Sequence, residues 1–226
     1  MSPVQQGDDG RARLSKAAVV ERALKLADAD GLEALTIRRL AADLGVTPMA
    51  LYWHFRSKEE LLAGLAEAIW GEIEVVVDPA LSWSEQLRGG LESLVGVLRA
   101  HPSAAQLLID HEAKNEAATQ VTEAALEVLR SAGFDPSHAA EIARQTLWTG
   151  IMLVLGEVGF DPGVSQAERE EAQRVKRVRF SMLPPDKFPR LVECAIPMTA
   201  CDDPEFHYQL GIGIFIAGVE ALAAKQ

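Results

Sequence analysis

Signals for helix starts recur along the chain, and they constrain its fold more than any other feature. Ser57, Ser82 and Ser165 are each followed three residues later by Glu, a spacing typical of the capping box at a helix N-terminus. Apolar residues then recur at helical spacing, and no run alternates apolar and polar residues for long enough to predict a strand. The sequence therefore predicts an all-α fold.

Length and apolar content bound the architecture. A chain of 226 residues, 48% of them hydrophobic, is large enough for two unequal helical units that share a core. Residues 1–10 lack the apolar stretch of a signal peptide, so we expect a disordered leader on a cytoplasmic protein. The two most apolar stretches, 147–156 and 210–219, are ten residues each, whereas about 20 are needed to cross a bilayer. We therefore expect buried helices and no membrane contact.

The two ends of the chain differ in charge. Residues 11–58 carry nine Lys or Arg and five acidic side chains, a net charge of +4, whereas residues 61–226 carry a net charge of -11. DNA binding needs a basic surface, because the phosphate backbone supplies most of the non-specific affinity. The distribution therefore predicts an N-terminal head that contacts DNA and an acidic body that the duplex repels.

Positions 36–55 predict two short helices joined by a tight turn. Thr36 caps the first helix, and Gly45 supplies the left-handed residue that ends it. Thr47 caps the second helix, and Pro48 occupies its first position, where a missing N–H costs nothing.

The second of these helices has an inward and an outward face. Leu51 and Phe55 are spaced to face inward, so Ala50, Trp53 and His54 face outward. Two helices with a glycine turn and outward polar and aromatic residues form a helix-turn-helix, whose second helix fits the major groove of DNA, about 12 Å wide.

The amino-acid sequence of this segment resembles that of a known family. Residues 36–58, TIRRLAADLGVTPMALYWHFRSK, closely resemble the DNA-binding motif of the TetR family, and the likeness to the family's head covers about residues 14–70. A weaker likeness to the tetracycline-repressor class of C-terminal domain continues from Trp83 through His101 and past Phe134.

The resemblance implies two domains. A three-helix head at residues 11–60 would carry the helix-turn-helix, and residues 61–226 would form a helical domain for dimerisation and ligand binding. In that family the body dimerises through a four-helix bundle formed by the eighth and the last long helices, with an effector pocket between bundle and head. We accordingly expect a homodimeric repressor that binds a palindromic operator in double-stranded DNA and that a small-molecule effector releases.

The resemblance also assigns the DNA contacts residue by residue. It implies that phosphates are contacted by Thr36, Arg38, Tyr52, His54 and Lys58. It implies that base edges or thymine methyl groups are contacted by Pro48, Met49, Ala50 and Trp53. Thr47 is a further candidate, because free N–H groups at a helix N-terminus favour an anionic phosphate. The alternative for Tyr52 and Trp53 is that they pack against the first helix.

Candidate ligand contacts lie on apolar helices that carry a few polar groups, which is the composition of a ligand cavity. They are His111, Trp148, Met152 and Glu157. Trp148 and Met152 have a second interpretation, as core residues of the dimer interface. Gly211 and Gly213 predict close helix packing, which supports such an interface.

A metal site is not predicted. Asp110, His111 and Glu112 are consecutive, and neighbours on a helix point about 100° apart, so they cannot all reach one ion. In the tetracycline repressor a pocket histidine helps to hold the magnesium ion that accompanies the drug, and Leu108 stands at that position here. We therefore expect no metal or other cofactor and an effector other than tetracycline with magnesium.

Enzyme chemistry is not predicted either. Cys194 and Cys201 fit no redox-pair or zinc-site spacing and are expected to be reduced thiols. The sequence assembles no Ser-His-Asp or Cys-His arrangement. Two alternatives to a regulator are a helical small-molecule-binding protein or enzyme that retains a vestigial helix-turn-helix, and a nucleoid-type DNA binder without an effector.

Overall fold

The computed structural model describes residues 15–101, 105–111, 115–157, 165–200 and 203–225. Within these ranges every regular element is a helix, as the sequence predicts. The expected leader at residues 1–10 lies outside the described residues, as do Glu112 and Cys201.

The described helices follow one another with short connections. They are α1 (Lys16–Asp30), α2 (Ile37–Asp43), α3 (Pro48–Tyr52), α4 (Lys58–Glu72), α5 (Trp83–Ala100), α6 (Ala105–Asp110), α7 (Glu116–Ser131), α8 (Pro136–Leu155), α9 (Gln166–Ser181), α10 (Pro189–Glu193) and α11 (Pro204–Ala223). A 3-10 turn, Leu32–Ala34, lies between α1 and α2.

The predicted helix starts are formed by side-chain caps. Thr36 and Thr47 each accept a hydrogen bond from the backbone N–H three residues later, and Ser82 and Glu85 form a complete capping box. The predicted box at Ser57 is formed in part, because Glu60 accepts from the backbone N–H of Arg56. These local hydrogen bonds fix where each helix begins.

The buried side chains of the helix-turn-helix belong to the same hydrophobic cluster as those of the body. Leu51 and Phe55 are fully buried, as their spacing predicts, and so is Leu40. Gly45 has a φ of +66°, in the left-handed region where a side chain is strained. Gly45 therefore makes the sharp turn that sets the angle between α2 and α3.

The body is a layered bundle, and α4 connects it to the head. Helices α5, α7 and α8 pack against one another, and α11 packs on α5 and α8. Helix α4 packs against α1 on one side and against α6 and α7 on the other. A displacement of α4 would therefore change contacts in both the head and the body.

Two helices of the body end at defined positions. Helix α8 ends at Leu155, where Gly156 forms its C-cap. Helix α4 ends at Glu72, so the segment that enters the body at Val75 is not helical.

Helix α11 differs from the expectation that its apolar stretch, residues 210–219, is buried. Of the helices in the described residues, it is the one long and apolar enough to cross a membrane by length and composition, a test that core helices of soluble proteins also pass. Only 22% of its most apolar 18-residue stretch is buried, and Leu210 and Ile214 are exposed. The prediction of burial is wrong for the single chain, because one face of α11 is turned away from α5 and α8.

Glycine packing on α11 also differs from the expectation. A Cβ on Gly211 would lie 2.2 Å from Leu153 Cδ2 of the same chain, whereas a Cβ on Gly213 would meet nothing within 4 Å. The close approach at Gly211 therefore joins α11 to α8 within one chain and is not evidence for contact with a second copy.

Candidate nucleic-acid interface and ligand cavity

The outer surface of α3 and the residue after it carry exposed apolar and aromatic side chains. The exposed fractions are 66% for Met49, 46% for Tyr52 and 85% for Trp53. An indole exposed to this extent is not packed against α1. Large apolar side chains that cluster in this way on a protein surface mark a contact site.

The remaining candidate DNA contacts surround this surface. Thr36, Arg38, Thr47, Pro48 and Lys58 are exposed, whereas Ala50 and His54 are half-buried. All ten candidates therefore lie on the N-termini of α2, α3 and α4, along α3, or in the turn that follows it.

The basic side chains of the head divide into two groups. Arg22 is bound to Asp43 and Arg39 to Asp30, so both guanidinium groups form ion pairs between α1 and α2. The hydrogen bond from Arg22 lowers the pKa of Asp43 from its ordinary value, which keeps that carboxylate charged. Arg38 is exposed and forms no ion pair with any other described residue, so its charge is available to a phosphate.

The body contains a mainly apolar, partly open cavity of about 270 Å³ between α4, α5, α7 and α8. Its wall includes Trp70, Leu87, Leu94, Val121, Leu147 and Trp148. The segment after α4 also contributes to the wall through Ile73 and Val75. A concave, apolar site of this kind suits a small molecule.

The four ligand-contact candidates occupy different places. Trp148 lines this cavity and also a shallow depression beside Met152. His111 lies in an open, acidic cleft between head and body, where its Nε2 is 3.9 Å from Glu59 Oε1. Glu157 accepts a hydrogen bond of 2.6 Å from the Tyr208 hydroxyl. The structure therefore does not bring the four together.

Trp70 is a cavity residue that the sequence analysis did not single out. It is 2% exposed, and its Nε1 is a buried donor without a hydrogen-bond partner among the described residues. The sequence does offer one signal for Trp70, which stands beside the apolar stripe of the predicted helix. A buried indole N–H needs a hydrogen-bond acceptor.

A polar cluster joins head and body at Asp28, Glu72 and His101, the ends of α1, α4 and α5. His101 Nδ1 lies 2.8 Å from Asp28 Oδ2, and His101 Nε2 lies 3.6 Å from Glu72 Oε2. All three helices reach this cluster, which we call the junction cluster. It links the head to the body beside the C-terminal end of α4.

Exposed apolar side chains lie along α8 and α11, two helices that pack against each other. They are Trp148, Met152, Leu155, Phe206, Leu210 and Ile214, and they recur at helical spacing on each helix. We call this the α8–α11 face. Apolar patches that extend across two helices on a soluble protein mark an interaction surface.

Family models match both parts of the chain. The model for bacterial regulatory proteins of the tetR family matches residues 19–65. The model for the tetracycline-repressor-like C-terminal domain matches residues 78–223. Residues 66–77, between the two matches, hold the second half of α4 and the segment that follows it.

Curated relatives and solved structures agree with these matches. The chain is 29% identical over 214 residues to the class C tetracycline repressor of Escherichia coli, covering 93% of this chain and 92% of the relative. It is 30% identical over 212 residues to the class E repressor of the same species, with the same coverage.

Among solved structures, ActR of Streptomyces coelicolor in complex with actinorhodin has a TM-score of 0.77 at 30% identity, covering 94% of this chain and 99% of ActR. A TetR variant of Acinetobacter baumannii with minocycline has a TM-score of 0.65 at 25% identity, covering 93% and 98%. The chain belongs to the TetR family of bacterial transcriptional regulators.

Proposed function

We propose that the chain is a ligand-responsive repressor that binds a palindromic operator as a homodimer in the cytoplasm. The single observation that carries the proposal is the exposed α3 surface, with Trp53 85% exposed on the basic head of an otherwise acidic chain. Residues 11–60 act as the DNA-binding domain and residues 61–226 as the dimerisation and effector domain.

Two recognition helices read the operator. A two-fold dimer presents one α3 to each of two successive major grooves, about 34 to 36 Å apart on B-DNA. Met49, Ala50 and Trp53 offer apolar contact more than paired hydrogen bonds, so the operator is read through thymine methyl groups and groove shape. Arg38 and Lys58 hold the phosphates on either side.

The α8–α11 face forms the dimer interface. Leu210 and Ile214 are exposed on a helix that is otherwise apolar, and their burial against a second copy removes this surface from water. The same face contains Trp148 and Met152, so this proposal takes the second interpretation of those two residues. Trp148 then touches both the interface and the cavity.

The apolar cavity of the body receives the effector. The solved relatives bind actinorhodin and minocycline, which makes a small-molecule ligand the natural occupant here. Leu108, fully buried and apolar, offers no metal ligand. Because Trp70 on α4 lines the cavity, an effector contacts the helix that also packs against the head, and it releases DNA only if it prefers a different α4 position.

Operator binding is tested with DNA from around the gene for this protein. Anisotropy titrations with genomic fragments are expected to find one or more fragments bound at least about a thousandfold more tightly than random DNA at the same salt concentration. Weak binding that is indifferent to sequence would contradict the operator hypothesis and would favour the nucleoid-type alternative.

Lys58→Ala is expected to reduce the salt dependence of operator binding. A dimer loses two phosphate contacts, so the slope of log affinity against log salt falls in magnitude by about 2. Tyr52→Ala weakens binding with little change in slope, because a phenol displaces no counterion. Lys25→Ala is the matched control, since Lys25 pairs with Glu21 on α1. A Lys58→Ala slope equal to that of the control would remove Lys58 from the phosphate contacts.

The junction cluster is expected to stabilise the contact between head and body. His101→Ala leaves Asp28 without its partner and lowers the free energy of unfolding by about 1 kcal/mol, measured in urea. His138→Ala is the control, because His138 is exposed and binds Asp135 at the start of its own helix. If Asp28→Ala and His101→Ala were fully additive in the double variant, the pair would contribute no coupling energy.

A further inference from the structure

The apolar cavity of the body has a single charged side chain in its described wall, and that charge is positive. Arg144 of α8 lines the cavity, and no acidic residue among the described residues does. The Arg144 side chain is 60% exposed, so it stands at the edge where the cavity opens to water. A cationic ligand would therefore meet no counterion in this wall, whereas an anionic ligand would meet one.

The ion pair that Arg144 forms within the chain leaves donors available. Its Nη2 donates to Glu141 on the same helix, and its Nε and Nη1 have no partner among the described residues. Glu141 also accepts a hydrogen bond of 2.9 Å from Gln145, so it keeps a partner when Arg144 turns to a ligand. Because exposed ion pairs are weak, a ligand carboxylate can compete for the guanidinium group.

Thr122 of α7 adds a neutral hydrogen-bonding group to the same wall. The hydroxyl of this half-buried residue has no hydrogen-bond partner among the described residues and is not sealed from solvent. Helices α7 and α8 pack together across a short turn, and Thr122 and Arg144 lie at similar distances from that turn. The two helices of such a hairpin run antiparallel, which places both residues at the same level of the cavity.

The rest of the wall offers a ligand mainly apolar contact. Thr146 Oγ1 already donates to the backbone oxygen of Ile142 at 2.8 Å, and Trp70 Nε1 exposes almost no surface. The other lining residues in the described chain are aliphatic or aromatic. The volume of about 270 Å³ lies near the lower end of ligand cavities, about 300–1,000 Å³, so the apolar part of the ligand is small.

We propose that the effector is a small amphipathic carboxylate whose apolar part fills the cavity and whose carboxylate binds Arg144 and Thr122 at the edge. The inference rests on the proposed effector role of the cavity and names the ligand class for it. A guanidinium group can give a carboxylate two parallel hydrogen bonds, and a hydroxyl can give a third. An anion held at the edge keeps part of its hydration, so filling the cavity does not require burial of the charge.

Three probes with one apolar skeleton test the sign of the charge. They are 1-naphthylacetate, 1-naphthylacetamide and 1-naphthylethylamine, which at neutral pH are anionic, uncharged and cationic. Each is titrated calorimetrically into the full-length wild-type protein without DNA. The acetate is expected to bind about fivefold more tightly than the amide, the effect of an ion pair that stays partly in water, and the amine is expected to bind most weakly.

Substitutions at Arg144 and Thr122 test where the carboxylate binds. In Arg144→Gln the acetate and the amide are expected to bind equally, and Arg144→Lys is expected to retain part of the preference for the acetate. Thr122→Val is expected to weaken acetate binding about threefold or more, because the hydroxyl is lost at nearly constant volume. Arg174→Gln is the matched control, since Arg174 pairs with Glu171 at the same spacing on α9 and does not line the cavity.

Glu141→Gln gives a change in the opposite direction. It removes the carboxylate that competes for Arg144 and is expected to raise acetate affinity about two- to fivefold. Tighter binding of the amide or the amine than of the acetate, an equal effect of Arg174→Gln and Arg144→Gln, or no binding of any probe would overturn the inference. Operator affinity of the ligand-free protein is measured separately, so failure here is distinguishable from failure of the proposed repressor function.

Discussion

Replacing Leu210 and Ile214 by glutamate is expected to convert the proposed dimer to a monomer and to lower operator affinity by about two to four orders of magnitude. The two side chains are 50% and 66% exposed on one face of α11. A two-fold interface would bury four new carboxylates without counterions, which opposes association by several kcal/mol. A single head then binds one half-site and loses the effective concentration that the second head supplies. Light scattering gives the mass, and anisotropy gives the affinity.

The matched control adds the same charges elsewhere. Val76 and Val77 are 54% and 51% exposed in the segment between α4 and α5 and are not members of the α8–α11 face. Their double replacement by glutamate is expected to leave the dimer intact. A Leu210→Glu, Ile214→Glu protein with the mass and operator affinity of the wild type would place the dimer interface on another surface.

The parts of the fold that depend on local chemistry could be predicted from the sequence. Gly45, Thr47 and Pro48 each act on the backbone within a few residues, through a positive φ, a side-chain cap and a fixed φ. Their order along the chain therefore defines the helix-turn-helix without any long-range information. The same reasoning places Trp53 on the outside, because Leu51 and Phe55 occupy the inward positions.

The parts that depend on long-range packing could not be predicted in this way. His101 and Asp28 are 73 residues apart, and nothing local to either residue indicates that they meet. The cavity is likewise lined by Trp70 of α4 and Trp148 of α8, two residues that only the packing of the bundle brings together. The helical spacing of apolar residues predicts which face of α4 is buried. It does not predict what surrounds the indole N–H of Trp70 on that helix.

The predicted burial of residues 210–219 failed for a different physical reason. Apolar composition indicates that a helix will be covered, but it does not indicate whether the same chain or another molecule covers it. Tyr208, Ile212 and Ile216 face the body and are buried, whereas Leu210 and Ile214 face outward. One helix thus serves the core of the chain on one side and the proposed dimer interface on the other.

Trp53→Ala is expected to lower affinity for the operator by about 30-fold or more and to leave affinity for random DNA nearly unchanged. Each base-pair contact contributes about 1–3 kcal/mol of discrimination, and a dimer loses two such contacts. Random DNA is held through phosphates, which the indole does not neutralise. Anisotropy titrations of both DNAs at one salt concentration measure the two affinities.

The Trp53→Ala protein distinguishes operator recognition from non-specific DNA binding and from folding stability. Because Trp53 is 85% exposed, its removal is expected to change the free energy of unfolding by less than about 0.5 kcal/mol. Met182→Ala, at a residue that is 79% exposed beyond α9, is the matched control for loss of a large surface side chain. Equal losses on operator and random DNA would make Trp53 a backbone contact, and unchanged operator affinity would exclude it from the interface. A selective loss is the result that only a side chain in the major groove produces, because phosphate contacts do not distinguish one sequence from another.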